Sequence, residues 1–271
     1  MFWGTVLALL LLLGIFFVLG IRNEVQTTQY AVRSEKLDHP VTLAVIADLH
    51  SCRYGEKGEA LLRMLEEACP DLVLLVGDLI EDSLPWENGL DTVRGFSERF
   101  PCYCVSGNHE YRTGDIEGVK AELRARNIAV LEGTTVQVRV NQQVIQLSGI
   151  DDACIGEAET RVQLEAAGNF DARHYTVLMA HHPERIGQYL PYGYDLIVCG
   201  HAHGGQVRIP FLVPQGLFAP NQGIFPRYTG GFWNMGKTDF VVSRGLAKEI
   251  PRFPRIYNRP ELVFITLLPK E

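Results

Sequence analysis

An uncharged apolar run, Phe2 to Ile21 (FWGTVLALLLLLGIFFVLGI), opens the chain and shows no polar face. A run of that length can cross the roughly 30 Å hydrocarbon core of a bilayer as one helix, whereas a buried core helix would carry a polar stripe. A cleaved export signal is the competing reading, with Val18 and Gly20 mimicking a small-residue cleavage site. Such signals start with a basic segment and have a shorter apolar stretch, and here only Met1 precedes the run. The pattern predicts a transmembrane anchor over 2–21. The polar stretch Asn23–Pro40 reads as a linker or an edge strand, so residues 22–40 connect the anchor to a domain over 41–268.

From residue 41 the pattern alternates between short apolar runs and helical spacing. Val41–Ala47 is a β-rich run that stops at Asp48-Leu49-His50. Leu61, Leu62, Leu65 and Ala68 then recur at helical spacing until Pro70 ends the helix. Asp71–Val76 is a strand that stops at Gly77-Asp78; a helix over 86–99 leads to the strand Cys102–Val105, which stops at Gly107-Asn108-His109-Glu110. Ile116, Val119 and Leu123 mark a further helix, with Glu117, Lys120 and Glu122 on its outer face. This is the rhythm of an α/β sheet, whose ligands bind beyond the carboxyl ends of the strands.

The middle of the chain changes character. Thr135–Val140 and Gln143–Leu147 alternate around Asn141-Gln142 and predict an antiparallel hairpin. A helix over 157–167 follows, then the strand Tyr175–Met179 ending at His181-His182, and the run Tyr194–Cys199 ending at Gly200-His201-Ala202-His203. Residues 210–236 are rich in Gly, Pro and aromatics, too aromatic for disorder; they read as a self-packed loop, a wall of an active site or an apolar lip facing lipid. Strands over 240–243 and 261–267 complete one domain containing two sheets.

Charge and cysteine content narrow the functional classes. A formal charge of −7 and a pI near 5.6 argue against a nucleic-acid surface, so no nucleic-acid partner is expected. Six cysteines in 271 residues do not make a disulfide scaffold. Arg22, Arg33 and Lys36 follow the apolar run and lean the domain towards the cytoplasmic side.

Five strand ends carry metal-type side chains: Asp48 and His50, Asp78, Asn108 and His109, His181 and His182, His201 and His203. One such turn is an ordinary cap or a core histidine; five with the same grammar read as one site. A mixed Asp/His/Asn set without thiolate suits Mn, Fe, Zn, Ni or Co. The ligands are too many for one tetrahedral ion and suit two divalent metal ions, with the solitary Asp78 as the natural bridge. A two-ion centre can deprotonate a water and polarise a phosphoryl oxygen.

Asp48-X-His50, Gly77-Asp78, Gly107-Asn108-His109-Glu110, His181 and Gly200-His201-X-His203 match in order and spacing the calcineurin-like metallophosphoesterases, and the chain resembles that superfamily over residues 41 to 268. Gly204-Gly205-Gln206, Gly149–Asp152 and Asn258–Glu261 resemble its small bacterial branch with an N-terminal anchor or export signal, some of whose members act on envelope or lipid-linked phosphoesters such as UDP-diacylglucosamine. The resemblance implies an α/β fold, a four-layer αββα sandwich of two mixed β-sheets flanked by helices, and hydrolysis of a phosphodiester, pyrophosphate or phosphomonoester by metal-activated hydroxide. It implies that Asp48, His50 and His203 hold one metal and Asn108, His181 and His201 the other, with Asp78 bridging. His109 matches the histidine that contacts the phosphate and protonates the leaving oxygen. Neighbours on a strand point to opposite faces, so His182 supports the site or is structural. The Asp-Arg that follows Gly-Asp in the phosphatase signature proper is absent from Gly77–Ser83, which favours a phosphodiester or small phosphoester over a phosphoprotein. Arg112, Arg208, Arg227 and Arg244 are candidates for phosphate contacts. Two rivals are a docking module on the same fold, which would lack some of these residues, and an amidase or lactamase, which would cluster its ligands in a His-X-His-X-Asp-His run absent here.

Overall fold

In the computed structural model, which describes residues 2–248 and 254–270, the strands resolve into two mixed sheets packed face to face. In chain order the first sheet takes β1 (Gln26–Ser34), β2 (Val41–Ile46), β3 (Leu72–Val76), β4 (Cys102–Val105) and β5 (Ile128–Val130). The second takes β6 (Thr134–Val140), β7 (Gln143–Gly149), β8 (Tyr175–Met179) and β9 (Leu196–Cys199). A small ribbon of β10 (Phe218–Ala219) and β11 (Gly223–Ile224) precedes β12 (Gly231–Asn234) and β13 (Asp239–Val242), which extend the second sheet; β14 (Glu261–Pro269) returns to the first. The sheet orders are β1-β14-β2-β3-β4-β5 and β12-β13-β9-β8-β7-β6. Within the first, β2 to β5 run parallel; within the second, β7, β8, β9 and β13 do. β1 is an edge strand paired in parallel with β14.

The helices are α1 (Phe2–Gly20), α2 (Glu59–Ala68), α3 (Glu87–Ser97), α4 (Asn108–Arg112), α5 (Ile116–Arg124), α6 (Glu157–Ala167) and α7 (Ile186–Tyr189). The continuous apolar strands make sense because both faces of each sheet are covered. In β2, Leu43 and Val45 face the other sheet, while Ala44 and Ile46 face Leu61, Leu65, Val93 and Phe96 of α2 and α3. In the second sheet Val177 and Val198 point inward, and Leu178 and Ile197 pack on Leu164 and Ile186 of α6 and α7. The result is the four-layer αββα sandwich. The hairpin turns as its sequence predicts, with φ of 47° at Asn141 and 65° at Gln142 matching a two-residue left-handed turn.

Lys120, expected on the outer face of α5, is buried: its Nζ lies 2.9 Å from Asp151 Oδ2 and 2.6 Å from Glu132 Oε2. Its ammonium points inward because these carboxylates from the second half of the fold receive it. At the N-terminus the apolar run forms α1, described without the side chains at 4, 8, 9, 12 and 13. Among the described residues no helix is long and apolar enough to cross a membrane.

Candidate metal centre

The parallel strands deliver their polar ends to one side of the sandwich. Immediately beyond β2, β3 and β9 the backbone turns sharply: Asp48, His50, Asp78, His201 and His203 all have φ between 46° and 66°. That left-handed region costs a non-glycine residue on the order of 1 kcal/mol or more. The turns swing each side chain from the strand direction into a common space between the sheets. Gly107 leaves room for this, since a Cβ there would collide with Asp78 Oδ1.

Hydrogen bonds then fix the turns. Glu110, buried on α4, accepts from the backbone N–H groups of Gly107 (2.7 Å), Asp78 (2.9 Å), Leu79 (2.7 Å) and Ile80 (3.1 Å). Asp78 Oδ1 accepts from the His109 amide at 2.8 Å, and both oxygens of Asp48 accept from the His201 amide at 2.9 and 3.1 Å. Glu110 follows directly on Asn108-His109 at the opening of a helix, which is the local sequence signal for this role.

Among the described residues the donors converge in four groups, of which two share Asp78 and two flank them, His50 with Glu81 and His109, and His182 with Glu184 and His201. In one of the two that share Asp78, Asp48, His50, Asp78 and His203 each offer an atom within 4.8 Å of the others; in the second, Asp78, His181 and His201 do the same. Asp78 Oδ2 is 3.5 Å from His50 Nε2 and 3.1 Å from His181 Nε2; Asp48 Oδ1 is 3.8 Å from His203 Nε2. Ligands about 2.1 Å from a common ion stand roughly 3 to 3.5 Å from one another, so these separations suit coordination. Unmet bonding capacity agrees. His50 Nε2, Asn108 Oδ1, His181 Nε2, His201 Nδ1 and His203 Nδ1 are buried without a hydrogen-bond partner, although such groups are paired in almost all native interiors.

The opposite imidazole nitrogens of two of these are oriented by acceptors, as in metal-bound histidines. His50 Nδ1 lies 2.7 Å from Glu81 Oε2, and His181 Nδ1 lies 2.8 Å from the Val76 carbonyl. Burial, followed by the charges of neighbouring histidines, lowers the pKa of His201 and of His203 well below 6.5, so both present the neutral imidazole that binds metals. Burial raises Asp48, with the charge of Asp78 adding to it against His181. Asp78 is also pushed up by burial, but His181 and His50 outweigh this and hold it well below the usual carboxylate range. Two carboxylates so close and so deep call for cations. The donor set fits divalent metal ions.

His109 lies beside this group. Its Nδ1 is 2.6 Å from Asp82 Oδ1 and 3.1 Å from Glu81 Oε1, and its Nε2 is 2.9 Å from Arg112 Nη1. Burial pulls its pKa down, but the hydrogen bond to Glu81 and the charges of Asp78 and Glu81 bring it to about 9; bound cations would offset those carboxylates and bring it back towards neutral. His182 is held from both sides, Nε2 at 2.7 Å from Asp152 Oδ2 and Nδ1 at 2.7 Å from Glu184 Oε1, with its ring centroid 4.0 Å from that of His201.

Of the four arginines singled out from sequence, Arg112 reaches the site. Arg208 donates to the Gly204 carbonyl, Arg244 pairs with Glu261 at 2.8 Å, and Arg227 lies over the Tyr228 ring. Asn258 holds the turn after β9, donating to the His203 carbonyl at 2.7 Å.

A two-sheet sandwich with paired Asp/His clusters at its strand ends is an arrangement suited to a metal-dependent phosphoesterase. The chain belongs to the calcineurin-like phosphoesterase family, whose sequence profile matches residues 41–205, and so is a hydrolase of phosphoric esters that uses divalent metal ions. It is 25% identical over 253 residues to the uncharacterized metallophosphoesterase YkuE of Bacillus subtilis, spanning 90% of this chain and 85% of that one. It is 27% identical over 236 residues to the phosphodiesterase YaeI of Escherichia coli, spanning 84% and 83%. The sulfate thiohydrolase SoxB of Thermus thermophilus shares the fold at a TM-score of 0.50 and 16% identity, over 90% of this chain and 58% of that one.

Proposed function

We propose that this protein hydrolyses a phosphodiester or pyrophosphate bond in a lipid-linked or envelope substrate, with UDP-diacylglucosamine as one example of the class. The observation that carries the chemical part is the pair of donor clusters sharing Asp78, in residues whose buried nitrogen and oxygen atoms are in part without a hydrogen-bond partner. Asp48, His50 and His203 would hold one ion, Asn108, His181 and His201 the second, and Asp78 both. When bound, the ions supply Lewis acidity and a water acidic enough to be hydroxide near neutral pH. Arg112 and His109 are positioned to receive a phosphoryl oxygen; with Arg112 turned from His109 Nε2 to the phosphate, an imidazolium at His109 would pass its Nε2 proton to the leaving oxygen. Glu81 and Asp82 hold that ring at Nδ1 and favour its charged form.

The substrate part rests on surroundings. A cleft of about 500 Å³ lined by His50, Glu81, Ser83, Leu84 and Lys248 can take the group attached to the phosphate. On the 210–236 segment Phe211, Leu212, Ile224 and Phe225 are exposed, an apolar group of the kind that meets lipid or a partner. This segment is tied to the metal side through Leu217, whose amide donates to the carbonyls of Gly205 and Val207 at 2.8 Å. We assign α1 to a membrane on the same grounds: nineteen uncharged residues with Phe2, Trp3, Leu7 and Val18 exposed, followed by Arg22 on what we take as the cytoplasmic side.

The test is metal analysis of the purified full chain alongside turnover of mono-, di- and pyrophosphate esters, soluble and bilayer-embedded. Two equivalents of metal and a preference for embedded diesters or pyrophosphates are expected. Equal rates on soluble nucleotides would sink the lipid-linked assignment, and activity surviving in a metal-stripped His109→Ala protein would sink the mechanism.

A further inference from the structure

Where α1 ends, the fold builds a second polar site, on the far side of Arg244 and Asn258 from the metal-type cluster. A cavity of about 310 Å³ is lined by Leu19, Gly20, Gln26 and Tyr257 with three arginines, Arg22, Arg244 and Arg259. The helix end is fastened to its floor. The Tyr257 amide donates to the Gly20 carbonyl at 2.8 Å, its hydroxyl donates to the Phe16 carbonyl at 2.9 Å, and its ring lies 4.7 Å from that of Phe16. Gly20 is where this contact needs glycine, since a Cβ would come within 2.8 Å of both Ile256 and the Tyr257 ring.

The charges do not balance within the cavity. Arg244 is paired with Glu261 at 2.8 Å, and Arg259 lies 3.5 Å from Glu24, whose side chain is largely in solvent. Arg22 has no carboxylate partner among the described residues. Behind Arg244 are two more buried guanidiniums: Arg255, whose Nη2 donates to the Arg244 carbonyl at 2.7 Å, and Arg208. Arg208 Nη2 and Arg255 Nε and Nη1 are buried without acceptors. Three guanidiniums thus line the cavity against the two carboxylates Glu261 and Glu24, with two more behind Arg244, of which Arg255 also feels the charge of Asp48. Arginine's planar fork is suited to phosphate oxygens.

We propose that this pocket binds the phosphate of one anionic phospholipid, with its acyl chains along α1. The inference rests on the membrane assignment of α1 made above and adds a lipid site distinct from the substrate site. A phosphate group could also come from solution, but Leu19, Tyr257 and the exposed apolar flank of α1 beside the arginines favour an amphiphile. Basic pockets at the membrane edge take headgroups in this way.

The experiment uses the full chain in non-ionic detergent, offered equimolar dioleoyl phosphatidylglycerol and dioleoyl phosphatidylcholine and read by native mass spectrometry. One phosphatidylglycerol should be retained in preference by about fivefold or more, the worth of one arginine at an anionic surface. The double variant R22Q/R259Q should bind the two lipids equally and keep its turnover of bis-p-nitrophenyl phosphate. Parity in the parent, or an unchanged preference in the variant, overturns the site. Retention of inorganic phosphate together with displacement of phosphatidylglycerol by it overturns the lipid as occupant. Alkaline carbonate extraction of the membranes separates the two readings: a released chain sinks the membrane assignment and this site with it, whereas a retained chain without lipid preference sinks this site alone.

Discussion

Two groups of buried charges lie within this sandwich, and their atoms are treated differently. Around Asp151 every valence is used: Oδ1 accepts from Ser106 at 2.7 Å, Oδ2 from Lys120 at 2.9 Å and from Gln163 at 3.1 Å, and Glu132 takes the other side of the ammonium. Around Asp78 two carboxylates and four imidazoles crowd together, and His50 Nε2, Asn108 Oδ1, His201 Nδ1 and His203 Nδ1 are buried without a hydrogen-bond partner. The first group is complete as a protein and joins the α5 side of one sheet to the other. The second is incomplete as a protein. A buried polar network that satisfies itself is read as structure, and one that leaves its strongest donors open is read as a place for a ligand.

That contrast can be broken at its strongest point. Asp78→Asn should abolish stoichiometric metal and lower kcat/KM by more than about 100-fold, the upper range for losing even an outer partner of a metal ligand; elemental analysis and diester turnover check both. His109→Ala sharpens the boundary of the open cluster, because His109 lies outside both groups that share Asp78 and belongs to a neighbouring set with His50 and Glu81. Metal content should stay at the parent value while kcat falls by about 10²- to 10⁴-fold, the worth of a general acid.

The closed cluster should respond in the opposite currency. Lys120→Met should lower unfolding free energy by about 3–5 kcal/mol, the cost of breaking a buried pair, with metal per folded chain unchanged in denaturant titrations run alongside metal analysis. Burial lowers the Lys120 pKa, but Glu132 and Asp151 outweigh this and raise it above 10.5. Because the folded pKa is the higher one, this stabilisation is full below the unfolded pKa and disappears as pH rises through the folded value. The stability difference between parent and variant should therefore narrow only in strongly alkaline solution. The smallest effect is expected from Glu81→Gln, which removes the carboxylate that orients His50; metal affinity should fall by about 10- to 100-fold with the fold intact.

Much of this was legible along the chain, for one physical reason. Strands buried on both faces are unbroken apolar runs, so the first polar residues after them stand out, and Asp48, Asp78, His181 and His201 are all such residues. The sandwich's layers follow from the same runs alternating with helical spacing. What stayed hidden depends on contacts distant in sequence. Lys120 reads as an outer-face lysine until Asp151, 31 residues on, is folded against it. Glu110 reads as a helix residue until the Asp78 turn is laid over it, and Glu81 and Asp152 have no local signature of the histidines they hold. Of the four candidate arginines, spacing alone had no means of separating Arg112, three residues from His109, from Arg208 and Arg244, which the fold turns towards carbonyls and Glu261.

The left-handed turns at Asp48, Asp78, His201 and His203 have a bearing on how this protein would respond to laboratory evolution. Each is a position where glycine relieves backbone strain, so a library selected only for resistance to heat would be rewarded for erasing the side chains proposed to hold the metals. Selections on this scaffold would therefore need catalysis in the screen from the first round, and natural lineages that drift to glycine at these turns would be marking the loss of the reaction.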